Sequence, residues 1–225
     1  MKKAFGSITT LELDLLTIAS AIFASDRGST RGEREDFARS LELHVPVINI
    51  GRLLPLMPKV QEILRLLSND IWTINLHQQS GECETPSSGS PGPGKVLLFS
   101  GGLDSLAAAV EFSNENPPLA LISHITKNRQ TTTAQNLLKD MLTDSGAKVV
   151  HHSFFVSSSD IGTFIHDAEN SQRTRSFVFL TLAALAARRL NRRKVVMIAE
   201  NGQMAIHLPL SSARIAAFST HTAHP

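Results

Sequence analysis

The sequence predicts an α/β protein, a parallel sheet flanked by helices, preceded by a small N-terminal α+β module. Three observations carry this. From residue 95 onward, short apolar runs alternate with stretches of helical spacing, the pattern of strands joined by right-handed helical crossovers. The first of those runs ends in a Gly-Gly turn that leads directly into a helix. A Ser/Pro/Gly-rich stretch, Ser80–Gly94, separates everything before it from everything after. The predicted organisation is therefore an N-terminal module over 1–79, a linker over 80–94 and an α/β domain over 95–225. The chain closes on Ser219–Pro225, polar and without a closing element, which is expected of a domain cut short.

Composition narrows the function classes. Apolar residues are 42% and charged residues 19%, an ordinary globular balance for one large domain, or a medium and a small one. With 22 basic against 20 acidic residues the net charge is +2, a weak excess that does not argue for nucleic-acid binding. No tyrosine and one tryptophan, Trp72, leave no aromatic platform for single strands. The only cysteine is Cys83, so an intrachain disulfide and a cysteine zinc cluster are both excluded, and a reducing cytoplasm is expected. Cys83 has no activating basic neighbour and reads as an inert thiol in the linker. Leu11–Ala24 is apolar, but Glu12 and Asp14 interrupt it and it is too short to span a bilayer.

Thr9 and Glu12 form a capping-box pattern, and Leu11, Leu15, Ile18, Ala19 and Ile22 follow at helical spacing, predicting a helix over about 10–25. Asp26–Asp36 is charged and predicts a surface loop, with Arg27, Arg31 and Arg34 as solvated charges rather than phosphate ligands. Within Ala38–Ile50, Leu41, Leu43, Val45 and Val47 alternate as one face of a strand, and Pro46 marks it as an edge. A helix is expected over Lys59–Leu67, with Val60, Ile63, Leu64 and Leu67 on its apolar stripe, and a second strand over Ile71–Leu76. Two strands alone are marginal, so this module needs a packing partner.

In the larger domain, strands are expected at Lys95–Phe99, Leu119–Ile125, Lys148–Val156 and Lys194–Ala199. Helices are expected at Leu103–Phe112, Thr131–Ser145 (stopped near Gly146) and Arg175–Leu190, the last almost wholly apolar in its middle. Ligands of such sheets bind outside the carboxyl ends of the strands. The Gly-Gly turn lies there, with His124, Ser157–Asp160 and Glu200-Asn201-Gly202. His151 and His152 are adjacent on a strand, point to opposite faces, and cannot serve one site.

The chemistry concentrates in Ser100-Gly101-Gly102-Leu103-Asp104-Ser105. The glycines allow close backbone approach, and the helix start offers N–H groups and the positive end of its dipole, an arrangement suited to phosphate. No Lys follows the glycines, so this is not the GxxxxGK[ST] loop, and it is not GxGxxG. The hydroxyls of Ser100 and Ser105 can donate to phosphate, and Asp104 can hold Mg²⁺. The competing reading is a Gly-Gly turn that binds nothing.

SGGLDS resembles the PP-loop of the ATP pyrophosphatases, SGGxDS, and the domain from Lys95 resembles their QueC-like branch, the 7-cyano-7-deazaguanine synthases. Further along, Arg173-Thr174-Arg175-Ser176 stands where that family has an Arg-Asn pair, and Ala199-Glu200-Asn201-Gly202 where it has a Gly-x-Asn pocket segment. Ser219–Pro225 is similar to the family's Ser-Thr, Ala-His-Pro ending. The N-terminal module and the Glu-Asn-Gly segment look closest to QueC-like proteins of bacterial anti-phage defence systems. The resemblance implies a PP-loop (HUP-like) fold. It implies an ATP-dependent ligase that forms AMP and pyrophosphate, activating 7-carboxy-7-deazaguanine or a relative for attack by ammonia or a protein amine.

By that resemblance Ser100, Gly101, Gly102, Leu103, Asp104 and Ser105 bind the nucleotide, and Asp104 and Arg175 act in catalysis. Arg175, Glu200, Asn201 and Gly202 meet the deazapurine, and Asp104 takes Mg²⁺. Helix-start solvation is the alternative for Arg175, and a capped turn without ligand the alternative for Glu200 and Asn201. Partners would be ATP, a deazapurine-like molecule, a protein acceptor or other defence subunits, and a second copy of the chain. Two departures stand out. The family's zinc-binding cysteines have no counterpart here, and no acidic residue clearly follows Asn201. His207, His221 and His224 do not replace them, since their spacing fits no usual ligand pattern. The alternative to the enzyme is a catalytically weakened nucleotide-binding scaffold of a defence complex. A tRNA thiolase is disfavoured by the absence of a catalytic cysteine pair and of a basic face.

Overall fold

The computed structural model describes residues 8–30, 38–81, 94–114, 118–125, 129–155, 169, 173–189 and 196–199. These residues fall into two compact units. The first holds 9–30, 38–81, 169 and 173–178, and the second holds 8, 94–114, 118–125, 129–155, 179–189 and 196–199. Both units are α/β, with parallel strands and flanking helices.

The first unit opens with helix α1, Thr10–Gly28. Its capping box is formed as the sequence predicts: Glu12 N–H donates to Thr9 Oγ1 at 3.2 Å and Thr9 N–H to Glu12 Oε2 at 2.9 Å. Strand β1, Ser40–Val47, alternates as expected, and Val45 and Val47 are buried. A short helix α2 (Ile50–Leu53), a 3₁₀ turn (Leu54–Leu56) and helix α3 (Met57–Ser68) lead to strand β2, Ile71–Gln78. Asn69, left-handed at φ 59°, closes α3 with its N–H on the Arg65 carbonyl. The buried side of α3 runs through Met57, Leu64 and Leu67, whereas Ile63 is 40% exposed, against the expected stripe. Ile18, Ile22, Val45, Val47, Leu53, Trp72 and Ile74 complete the core, with Phe177 packed against it.

β1 and β2 pair in parallel from Ser40↔Ile71 to Val47↔Gln78. The module is therefore a β-helix-β crossover rather than the expected α+β arrangement. Parallel strands need a long connection, and the helices between 48 and 70 supply it.

Asp26 corrects a second expectation. α1 runs on to Gly28, so Asp26 lies within the helix and is fully buried. Its carboxylate pairs with Arg39 and accepts from Thr174 N–H and Thr174 Oγ1, both at 3.0 Å. Arg39 also pairs with buried Asp70 at 2.7 Å. Burial opposes the Arg39 charge, but hydrogen bonds to Asp70 and Asp26 outweigh it and hold the guanidinium above its ordinary range. Arg27 is also tied down, donating to the Glu169 carbonyl. Arg31 and Arg34 lie outside the described residues, as does Cys83.

The second unit is a four-stranded parallel sheet in the order β5-β4-β3-β6. Its strands are β3 (Val96–Leu98), β4 (Leu119–Ile125), β5 (Val149–Phe155) and β6 (Val196–Ile198). Helices α4 (Leu103–Phe112), α5 (Arg129–Asp144) and α6 (Arg175–Arg189) follow β3, β4 and β5 in the chain. The four strands and three helices expected above are present, with ends that coincide or differ by one or two residues. β4 is buried along almost its whole length, as a central strand covered on both faces must be. Leu97, Phe99, Ala109, Leu119, Leu121 and Leu142 form the core. α5 ends where expected, at Gly146, whose φ of 86° favours glycine. Among the described residues no helix is long and apolar enough to cross a membrane.

Candidate phosphate-binding loop

β3 is the first strand of its sheet in the chain. The next two strands build outward on one side of it, and the chain then returns to place β6 on the other. The carboxyl end of β3 is thus a topological switch point, where open α/β sheets form ligand crevices. The SGGLDS segment starts two residues beyond that end.

Strand, turn and helix position each residue of the loop. Phe99 is fully buried and anchors the segment, its N–H donating to the Ile122 carbonyl at 2.8 Å. Gly101 has φ 83°, a conformation L side chains rarely adopt. A Cβ there would also stand 2.9 Å from Gln135 Cγ. Gly102 is the residue before α4 and provides no side-chain cap to the helix start. Ser100 Oγ accepts the Gly102 N–H at 3.2 Å, and Ser105 Oγ–H donates to the Gly102 carbonyl at 2.9 Å. With the Ser105 proton so used, the 3.2 Å contact between the two hydroxyls has Ser100 as donor. The hydroxyls therefore hold the loop closed upon itself. A bound phosphate would exchange these bonds for its own oxygens.

Ser100 and Gly102 are exposed, Gly101 and Asp104 half-exposed and Ser105 buried. The Leu103 side chain is 80% exposed, so only its backbone can serve a ligand at the helix start. The residues fit a polyphosphate: a glycine cradle, an uncapped helix of ten residues and two hydroxyls. One carboxylate, Asp104, beside phosphate oxygens is the donor set Mg²⁺ ordinarily uses. Among the described residues, no group of three or more His, Cys, Asp or Glu is arranged to hold a metal by itself.

The other predicted site residues belong to a different unit, are buried in the sheet, or lie outside the described residues. Arg175 opens α6 and belongs to the first unit, whereas the loop belongs to the second. Burial lowers the Arg175 pKa from its ordinary range. Glu200, Asn201, Gly202, Ser157–Asp160, His207, His221 and His224 lie outside the described residues. His124 is buried, its ring edge-on to Phe179 with centroids 5.1 Å apart.

Three residues to which the sequence assigned no role at the loop support it from behind. Ser123 Oγ donates to the Phe99 carbonyl at 2.6 Å. That leaves His151 Nε2, 2.8 Å from Ser123 Oγ, as the donor of the next bond. Burial, with the charges of His152 and Lys139, pushes the His151 pKa down, so the neutral ring carries its proton on Nε2. Gln135 Nε2 donates to the Ser100 carbonyl at 3.1 Å. The available signal was Gln135 itself, a polar residue in line with Leu138 and Leu142 on the apolar stripe of α5.

No family model, curated protein or solved structure matches the chain.

Proposed function

We propose that the Ser100–Ser105 loop binds the phosphates of ATP with Mg²⁺. In this reading the protein is a QueC-like PP-loop enzyme that activates a carboxylate with release of pyrophosphate. The observation that supports it most is the coincidence of three features at one point: the switch point of the sheet, a glycine at φ 83° and a helix start without a side-chain cap. The carboxylate oxygen of 7-carboxy-7-deazaguanine, or of a relative, attacks the α-phosphorus of ATP. The bond to the bridging β-phosphate oxygen breaks and pyrophosphate leaves. Ammonia or a protein amine then attacks the acyl carbon and AMP departs with its oxygen. A carboxylate is a poor electrophile, and adenylation supplies the leaving group. The loop contributes positioning and charge stabilisation at the phosphates. Asp104 holds Mg²⁺. Arg175, Glu200, Asn201 and Gly202 serve the substrate side in the same reading, and the setting is bacterial anti-phage defence.

The test is titration calorimetry of the full chain with MgATP. Mass spectrometry follows after incubation with ATP, Mg²⁺, 7-carboxy-7-deazaguanine and ammonium, with and without a candidate acceptor protein. ATP binding that falls at least tenfold in Ser105→Ala, together with AMP and an amide, nitrile or mass-shifted protein, is the expected result. ATP binding without AMP formation would replace the enzyme by a nucleotide-binding scaffold. Absence of ATP binding would overturn the reading altogether.

A further inference from the structure

Gln135 is 2% exposed and reaches from α5 to the back of the loop. Its Nε2 donates to the Ser100 carbonyl, while its Oε1, also buried, has no hydrogen-bond partner among the described residues. The amide cannot be turned over to satisfy Oε1, because that would set two acceptor oxygens face to face at the Ser100 carbonyl. A leucine would fill this space without the desolvation cost of an unpartnered acceptor. The polar side chain is therefore a burden on folding, and its gain must be sought at the loop.

That gain follows from the planar trans peptide. C=O and the following N–H point in opposite directions. Gln135 draws the Ser100 carbonyl inward, so the Gly101 N–H is turned outward, away from α5. The Ser123 hydroxyl, backed by His151, fixes the preceding Phe99 carbonyl in the same way. Gly101 is required on both counts, by its φ of 83° and by the 2.9 Å that separates a Cβ from Gln135 Cγ.

We propose that Gln135 is the positioning residue of the phosphate loop, holding the Ser100–Gly101 peptide so that its N–H is presented to a bound polyphosphate. The proposal rests on the phosphate-binding reading above. The test uses the full chain with Gln135→Leu and Gln135→Glu, titrated with MgATP and with inorganic pyrophosphate, plus amide hydrogen exchange over 99–105. Gln135→Leu should melt at or above the wild-type temperature, exchange its loop amides faster and bind either probe at least tenfold more weakly. A residue that only supported the fold would lower the melting temperature instead. Gln135→Glu keeps the size but, when ionised, has no donor for the Ser100 carbonyl and repels the anion. Its deficit should be largest near pH 8 and shrink toward pH 5, as protonation restores an O–H donor. If Gln135→Leu does not fold, this narrowing decides the matter, and a constant deficit overturns the proposal. Wild-type binding with Gln135→Leu within twofold of it overturns the proposal and leaves the phosphate reading intact. Failure of the wild type to bind either probe removes both.

Discussion

The first strand of each sheet leads through a turn into a helix, and the two turns are treated in different ways. After β1, the N–H groups of Ile48 and Asn49 point to the buried carboxylate of Asp14, at 2.9 and 2.7 Å. The Asn49 side chain adds a third bond to it at 2.8 Å. The anion there is internal, delivered by α1. After β3 the turn is built differently: the Gly102 N–H goes to the Ser100 hydroxyl at 3.2 Å, and Gly102 precedes a ten-residue helix to which it gives no side-chain cap. The same electrostatic preference is satisfied by a carboxylate of the fold in one place, and in the other it is the position where the proposed phosphate would sit. A filled anion position stabilises the fold, and an open one is useful only when something arrives.

The largest effect should come from emptying the filled position. Asp14→Ala takes the acceptor from the part-buried N–H groups of Ile48 and Asn49 and leaves the Asn49 amide only its bond to Thr10 Oγ1, and should cost about 2–4 kcal/mol of unfolding free energy in urea titration. Asp14→Asn keeps the shape, loses the charge, and should cost about half as much. A loss below about 0.5 kcal/mol for the alanine variant, the noise of surface substitutions, would mean that the Asp14 carboxylate does not hold the turn after β1.

Gly101→Ala tests the geometry of the open position and should come next. The φ of 83° alone disfavours alanine by about 1–2 kcal/mol. The 2.9 Å approach to Gln135 Cγ adds to that. Calorimetric unfolding of Gly101→Ala with and without Gln135→Ala separates the two: the double variant should recover the contact and retain the backbone cost. Full recovery would mean that the backbone conformation itself is not strained.

Most of this design was legible in the residues, and the parts that were not share a cause. Helix α1 announced itself through Thr9 and Glu12, and the second unit through alternating runs and punctuating glycines, because those signals are local. The parallel pairing of β1 with β2 was not legible. Alternation of Leu41, Leu43, Val45 and Val47 reports which face is buried and says nothing about the direction of the neighbour. Asp26 was misread for a similar reason. Its charge looked solvated because its partners, Arg39 and Thr174, are 13 and 148 residues away. The loop SGGLDS was legible as a motif, but Ser123, His151 and Gln135 behind it were not, since each acts through a carbonyl that topology alone delivers.

Gly102→Asp would give the open turn the internal anion that the other already has. Gly102 has φ −90° and ψ 170°, which any residue adopts, and a Cβ would meet only Ser100 Oγ at 3.4 Å. An N-cap aspartate in place of glycine should raise stability by a few tenths of a kcal/mol, about the usual difference between these caps. The same carboxylate should weaken pyrophosphate binding at least tenfold by like-charge repulsion. A variant that folds better and binds worse is the expected pair. Unchanged pyrophosphate affinity would show that the helix start is not where phosphate goes.

The smallest effect concerns the support behind the loop. The His151 pKa lies below its ordinary value near 6.5, through burial first and then through His152 and Lys139. The unfolded chain therefore takes up a proton near pH 6.5 that the folded chain resists. The contribution of His151 to stability is complete above that pH and is lost as pH falls through the lower folded value. Both forms of the ring carry a proton on Nε2, so the bond to Ser123 survives protonation while the buried charge it creates is disfavoured. Urea unfolding between pH 7.5 and 5 should show the wild type losing more stability than His151→Gln, whose amide can still donate to Ser123. Equal losses would mean that His151 titrates as if exposed. The ring would then meet water, which competes for its bond to Ser123, and the relay behind the Phe99 carbonyl would be weaker than its burial implies.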